Sequence, residues 1–490
     1  MPRHRSRLRA ALLAAACALL PACGDTSSEP PPAFRVRGTI EGFYGPPYDR
    51  VERERLIRFG AERGLNAWVY APKLDPKHRD RWRDPYTAQE LADFAALASV
   101  GDDVGTRVRF AISPGQSFDP SNPGDDSLLA QKLGSVHDAG VRGFALLLDD
   151  ITQPGAPVLD PTVQARLVAR FVEIVEGFGD GSDAWFIGPL YAGSAEEILH
   201  PSFPGLVEYP AAPAAYWDAY AALVPPHVPV MWTGPGVISG SIPGEVARGF
   251  RELARRPVIA WDNVPVNDVF PRDLFLGPVT GRGADLAGEV DGVVFNLMTQ
   301  PTAGLVAVAT GADWLRDPAR YDPEASFARA VADVGGPAAE PFARFADLHR
   351  GHPLLDGSVE APELARRIND AFGANGSAEG RARLRAHLDS LATVDADLRR
   401  EAEPALVAEI EPWLAKTTAL ARAARLGLDA LDGGASAAAW REARDRATAL
   451  PVEVAADHVS DGFAAFNATT AKNTDRFADL FARIEAGLSK

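Results

Sequence analysis

Two adjacent carboxylates, Asp149 and Asp150, follow the run Phe144-Ala145-Leu146-Leu147-Leu148 and precede Ile151. Five apolar residues without alternation suit a strand buried on both faces. Carboxylates at the end of such a strand are costly to bury unless they face a polar cavity. Neighbouring acids also repel, which raises the pKa of one of them. One can then give up a proton near neutral pH while the other stays anionic, the pairing that general acid–base chemistry needs. The two would titrate as a unit. The competing reading makes both residues helix caps or solvated turn residues. Asp102-Asp103 and Asp125-Asp126 are acidic pairs as well, but each lies in a Gly-containing stretch, and a solvated turn is expected there.

The elements that would position such a pair can be read along the chain. Strand-like segments occur at Val36–Ile40, Ala67–Tyr70, Val108–Ile112, the run ending at Leu148, Ala184–Ile187, Val228–Trp232, Val258–Trp261 and Gly292–Phe295. Helical patterns fall between them at Arg50–Gly64, Thr87–Val100, Ser127–Ala139, Pro161–Phe178, Ala211–Leu223, Pro243–Arg255 and Gly281–Glu289. This is the count and size of a (β/α)8 TIM barrel, whose catalytic residues sit at the carboxyl ends of the strands. A doubly wound open sheet finds no support, because no strand leads into a Gly-rich dinucleotide fingerprint. Most of the predicted strands end in polar or aromatic residues: Gly42 and Tyr44, Lys73, the acidic pair, Tyr191, Trp232, Trp261 with Asn263, and Asn296, with Asp268 in the loop beyond the seventh. Together they would form a polar cup lined with aromatics, the usual make-up of a sugar site. Taken singly, Lys73 could be a surface lysine, Trp261 a core residue and Asn296 a cap.

The texture changes near residue 320. Ala, Leu, Arg and Glu dominate, and Arg381–Leu398, Pro404–Leu431, Ala435–Leu450 and Asp475–Leu488 read as helices. The expected organisation is a catalytic barrel over 35–320 followed by an α-helical domain over 321–490. His349 and His352 precede Pro353 in this region and are expected on its surface. The chain offers no H-E-x-x-H, P-loop or G-x-S-x-G, and no metal or cofactor is expected.

Residues 1–22 read as a lipoprotein-type signal peptide. Arg3, Arg5, Arg7 and Arg9 precede an apolar stretch, Ala10–Leu20, too short to span a bilayer, and Leu20-Pro21-Ala22-Cys23 resembles a lipobox with Cys23 as the lipidated residue. Plain cleavage and secretion is the alternative. Residues 23–34 form a Pro/Ser tether, with the first strand following at once. Both cysteines, Cys17 and Cys23, lie in this leader, so no structural disulfide is expected. The chain is thus expected to be exported and membrane-associated only through the anchor. A net charge of −16, or −20 once the four leader arginines are taken away, argues against nucleic acid and anionic lipid as partners.

Four stretches carry a family resemblance. Asn66-Ala67-Trp68-Val69-Tyr70-Ala71-Pro72-Lys73-Leu74-Asp75-Pro76-Lys77-His78-Arg79 is the most specific. With Ile40-Glu41-Gly42-Phe43-Tyr44-Gly45, Asp149-Asp150-Ile151 and Trp261-Asp262-Asn263-Val264-Pro265-Val266-Asn267-Asp268, it resembles glycoside hydrolase family 84. These are β-N-acetylglucosaminidases of the O-GlcNAcase type, including bacterial hyaluronidase-like relatives. The resemblance covers about residues 35–300 and extends loosely to Glu411-Pro412-Trp413-Leu414. It implies a (β/α)8 barrel followed by helices, and a retaining mechanism in which the sugar's own 2-acetamido oxygen attacks the anomeric carbon to give an oxazoline, outside the two-carboxylate nucleophile scheme. It further implies that Asp149 orients the acetamido N–H and that Asp150 is the general acid and then base. Gly42 and Lys73 would hold ring hydroxyls, Asn263 and Tyr191 would stand near the acetamido group and reacting centre, Asp268 and Asn296 would take the far hydroxyls, and Trp261 would supply an apolar face. Leu74, Tyr48 and Leu297 depart from the family pattern at positions expected to tune specificity. The implied partner is a GlcNAc-containing glycan or glycoprotein. The rival readings are a catalytically weak carbohydrate-binding lipoprotein on the same barrel and an endo-acting, hyaluronidase-like glycosidase.

Overall fold

The computed structural model describes residues 33–151, 159–196, 198–199, 213–452 and 476–489. The leader, Cys23 and nearly all of the tether lie outside the described residues.

Eight parallel strands close into a barrel: β1 (Val36–Glu41), β2 (Ala67–Tyr70), β3 (Arg107–Ile112), β4 (Gly143–Leu147), β5 (Asp183–Ile187), β8 (Val230–Trp232), β9 (Val258–Asp262) and β10 (Gly292–Asn296). Their order around the barrel is β1-β10-β9-β8-β5-β4-β3-β2. A two-stranded antiparallel hairpin, β6 (Ala192–Gly193) and β7 (Ile198–Leu199), follows β5. Side-chain alternation splits the strands into two cores. Val108, Phe110, Phe144 and Leu146 point outward beneath the helices. Ala111, Ala145, Leu147, Ile187, Met231, Ile259 and Val294 fill the barrel interior.

The outer layer is α1 (Arg50–Glu62), α2 (Ala88–Val104), α3 (Pro123–Asp138), α4 (Pro161–Gly177), α5 (Pro213–Leu223), α6 (Gly244–Ala254) and α7 (Leu305–Arg316). Local chemistry sets where these helices begin. Asp49 with Glu52 and Thr87 with Glu90 form capping boxes, while Asn122 and Asp160 cap helices that open on proline. Beyond the barrel come α8 (Pro323–Gly335), α9 (Ala339–Leu348), α10 (Pro362–Phe372), α11 (Ala378–Leu391), α12 (Val394–Glu401), α13 (Pro404–Leu431), α14 (Ala437–Ala449) and α15 (Arg476–Leu488). An apolar cluster joining Phe270, Met298 and Val306 to Phe342, Ile410 and Trp413 runs across residue 320.

Several sequence expectations need correction. Gly281–Glu289 is not an α-helix and holds only a 3-10 turn at Ala284–Leu286. Gly281 and Gly288 adopt positive φ there, and the Arg282 side chain is drawn inward to Asp262. The seventh outer helix is instead α7, after the last barrel strand, which shows no amphipathic period because every residue from Leu305 to Ala312 is buried. Arg381–Leu398 is two helices, α11 and α12. Asp125 is not in a solvated turn; it is fully buried in the first turn of α3 and paired with Arg83. His352 is buried and His349 half-buried, not surface residues free in solvent. His349 packs on Phe345 and His352 on Phe275, with ring centroids 4.5 and 4.1 Å apart, and burial lowers their pKa to about 4 and about 3. Trp232 stacks on Phe250 in the outer layer instead of facing the barrel mouth.

Candidate active site

The carboxyl ends of the strands gather the candidate residues into one hydrogen-bonded set. Ala145 and Leu147 of β4 face the interior, so the same alternation brings Asp149 into the barrel mouth. It is 4% exposed and pairs with the Lys73 ammonium through Oδ2. Its other oxygen, Oδ1, is buried and accepts no hydrogen bond among the described residues.

Asp150 would by alternation point outward. It instead takes a left-handed backbone conformation, φ +49°, uncommon for a residue with a Cβ. Its carboxylate thereby turns into the mouth. Oδ2 accepts from Tyr44 Oη at 3.0 Å and Oδ1 from Tyr191 Oη at 2.7 Å. Lys73 Nζ lies 3.8 Å from Oδ2, so one cation serves both acids.

The opposite side of the mouth is built from β1, β9 and β10. Asn296 Oδ1 accepts from the Gly42 N–H at 3.0 Å, and Asn296 Nδ2 donates to Asn263 Oδ1 at 2.9 Å. Asn263 Oδ1 also receives Trp261 Nε1 at 3.0 Å, and Asn263 Nδ2 donates to the Val237 carbonyl at 2.7 Å. The Trp261 ring stands 5.5 Å from Lys73 Nζ. A Cβ at residue 42 would come within 2.5 Å of that ring, which is why glycine stands there. Asp268 Oδ2 accepts from the Tyr44 N–H at 2.8 Å and closes the circle. Burial raises the Asp268 pKa to about 6, against the lowering effect of backbone N–H groups from Tyr44 and Val269.

All nine candidate residues for catalysis and sugar binding, Asp149, Asp150, Gly42, Lys73, Tyr191, Trp261, Asn263, Asp268 and Asn296, therefore meet at the barrel mouth. Three further participants touch Asp150. The sequence marks Tyr44 only as a polar strand end, and it marks neither Arg79 nor Gln116 as a site residue. Arg79 donates to Tyr44 Oη at 2.7 Å and to the Asp150 carbonyl at 2.9 Å, and Gln116 Nε2 donates to that carbonyl at 2.6 Å. Arg79 closes the most specific motif, and that position is its sequence signal. Gln116 carries no sequence signal.

A closed parallel barrel with paired acids, a shared lysine and an amide- and indole-lined mouth has the site position of a barrel enzyme and the lining suited to a polar, sugar-like ligand. The model of the β-N-acetylglucosaminidase family matches residues 37–347, and the chain belongs to that family. Protein O-GlcNAcase from Rattus norvegicus and from Mus musculus are each 33% identical over 283 residues, which cover 57% of this chain and 30% of each relative. The chain thus spans about a third of the length of these curated relatives. Among solved structures, CpGH84B superposes with a TM-score of 0.72 at 27% identity, covering 88% of this chain and 76% of that one. A mutant of the Thermobaculum terrenum O-GlcNAc hydrolase superposes with a TM-score of 0.72 at 24% identity over 93% of this chain and 95% of that one, a likeness of fold.

Proposed function

We propose that the protein is a retaining exo-β-N-acetylglucosaminidase that removes terminal β-linked GlcNAc, as an O-GlcNAcase does, by substrate-assisted catalysis. The observation that carries this reading is Asp149 Oδ1, a buried acceptor with no protein donor among the described residues beside an oxygen already neutralised by Lys73. Buried acceptors are rarely left unpaired, and a substrate N–H is the donor that would complete it. An acetamido group held there presents its carbonyl oxygen to the anomeric carbon. That oxygen attacks, the glycosidic bond breaks, and Asp150 gives its proton to the departing oxygen. Asp150 then takes a proton from the water that opens the oxazoline, which returns the anomeric carbon to its starting configuration. Asp149 stays anionic beside the positive charge that develops on the acetamido group. The partner is accordingly a GlcNAc-bearing glycan or glycoprotein. Export, with lipidation at Cys23, belongs to the same proposal and rests on residues 3–23 alone.

Turnover of an aryl β-N-acetylglucosaminide tests it. Asp149→Asn is expected to lower kcat/KM by about a hundredfold or more, and Asp150→Asn by roughly 10²–10⁴ with a poorly activated aglycone. Unchanged turnover in both variants, or a wild type that binds sugar without hydrolysing it, would overturn the assignment.

A further inference from the structure

We propose that Arg79, assisted by Gln116, is the positioning residue of Asp150: together they hold its backbone in the inverted conformation that turns the carboxylate into the barrel. This rests on the acid–base role of Asp150 proposed above and adds what keeps that group in place.

The strand register alone would misplace Asp150. Residues 145, 147 and 149 face inward and Phe144, Leu146 and Leu148 face the helices, so residue 150 belongs on the outer side. Only the left-handed φ of +49° brings it back. For a residue with a Cβ such a conformation is costly and persists where its surroundings over-determine it. The surroundings here can be named. Ile151, next in the chain, is 1% exposed, and a Cβ at Gly115 would reach within 2.8 Å of its Cδ1. The Asp150 carbonyl, whose direction is set by the peptide plane that the inversion turns, receives Arg79 Nη2 and Gln116 Nε2. Both donors reach across from the loops after β2 and β3.

Arg79 does a second thing with the same planar head. Its Nη1 donates to Tyr44 Oη, and a guanidinium cannot accept in return. The Tyr44 hydroxyl therefore receives from Arg79 and gives its own hydrogen to Asp150 Oδ2. One 7%-exposed side chain thus fixes the main chain of Asp150 from one side and orients the donor to its carboxylate from the other. Two diverging N–H groups at fixed spacing are what arginine supplies and lysine cannot.

The consequence is selective. A general acid that wanders is lost most where the leaving group needs protonation most. The experiment compares wild type, Arg79→Met, Arg79→Lys and Gln116→Leu on aryl β-N-acetylglucosaminides with strongly acidic and weakly acidic phenols as leaving groups, with pH profiles and Tm for each. The expected result for Arg79→Met is about a hundredfold loss of kcat on the weakly acidic phenol, the scale of general acid catalysis, with only a few-fold loss on the strongly acidic one. KM is expected to stay within about threefold, and the basic limb of the pH profile to move. Arg79→Lys should recover only part of the loss. Equal losses on both phenols, no loss, or complete recovery with lysine would each overturn the proposal. If Arg79→Met does not fold, Gln116→Leu is read by the same criterion, and a leaving-group-independent effect there overturns it equally. Asp150→Asn on the same two substrates serves as the reference: if it shows no leaving-group dependence, the acid–base reading of Asp150 has failed, and not the positioning of it.

Discussion

Asp149 and Asp150 are neighbours of the same residue type held by different partners. Asp149 is bonded directly to the buried Lys73, whereas Asp150 sees that ammonium only at 3.8 Å and is held by two phenols and a distorted backbone. An unpaired buried carboxylate would be far costlier than either arrangement. The sequence showed that the pair was present and where the strand ended. It could not show the inversion at Asp150, because that depends on donors 34 and 71 residues away. Asp268 makes a third case. Burial lifts its pKa to about 6, so its carboxyl is largely neutral at pH 4–5, where an ordinary aspartate is already ionised. If the ionised form is the one that accepts hydrogen bonds from substrate hydroxyls, kcat/KM should rise with pH through about 6. Asp268→Asn should remove that rise and cost roughly 10–100-fold in kcat/KM, the scale of a hydrogen bond to a charged group. The pH dependence of kcat/KM for the two proteins checks this; an unchanged acidic limb in the variant would contradict it.

The alternation of side chains at the strand ends sorts the mouth at the scale of elements. Gly42, Trp261 and Asn296 turn inward. Glu41 and Asp262, each adjacent to one of them, turn outward and are buried against Arg53 and Arg282. The motif stretches thus mix residues that meet substrate with residues that lock a strand end to the layer outside it. Which does which follows from register, and the motif alone does not reveal it. Arg282 also explains the missing helix: a guanidinium 1% exposed, bonded to Asp262 and to the carbonyls of Ser239, Gly240 and Thr280, cannot sit on a solvated amphipathic helix. Helix α7 carries no such signal for the converse reason, since its first eight residues are all buried and leave no polar face to read there. Arg282→Met should destabilise the fold by about 3–5 kcal/mol, because it strands a buried carboxylate. The double variant with Asp262→Asn should be more stable than Arg282→Met alone. Denaturant unfolding of the three proteins decides it, and a double variant less stable than the single would contradict the pairing.

For the molecule as a whole, the strand count, the barrel and the helical C-terminal region were legible because apolar runs and turn residues repeat eight times. How the later helices serve the mouth was not. Glu409 of α13 accepts the backbone N–H groups of Thr302 and Ala303, just ahead of α7. Trp413 donates to the Arg272 carbonyl at 2.7 Å, in the loop that also carries Asp268. The Glu411–Leu414 stretch is therefore a brace on the loop after β9, a role no periodicity announces. What barrel, brace and mouth are proposed to accomplish together is one event, attack by the substrate's own acetamido oxygen. The most direct test is kcat/KM for a series of aryl β-glucosaminides whose N-acetyl group carries zero, one, two or three fluorines, with the aglycone unchanged. Each fluorine makes the carbonyl oxygen less nucleophilic, so a steady and steep fall across the series is the predicted result. A flat series would mean that a protein group or water attacks first, and would contradict the account.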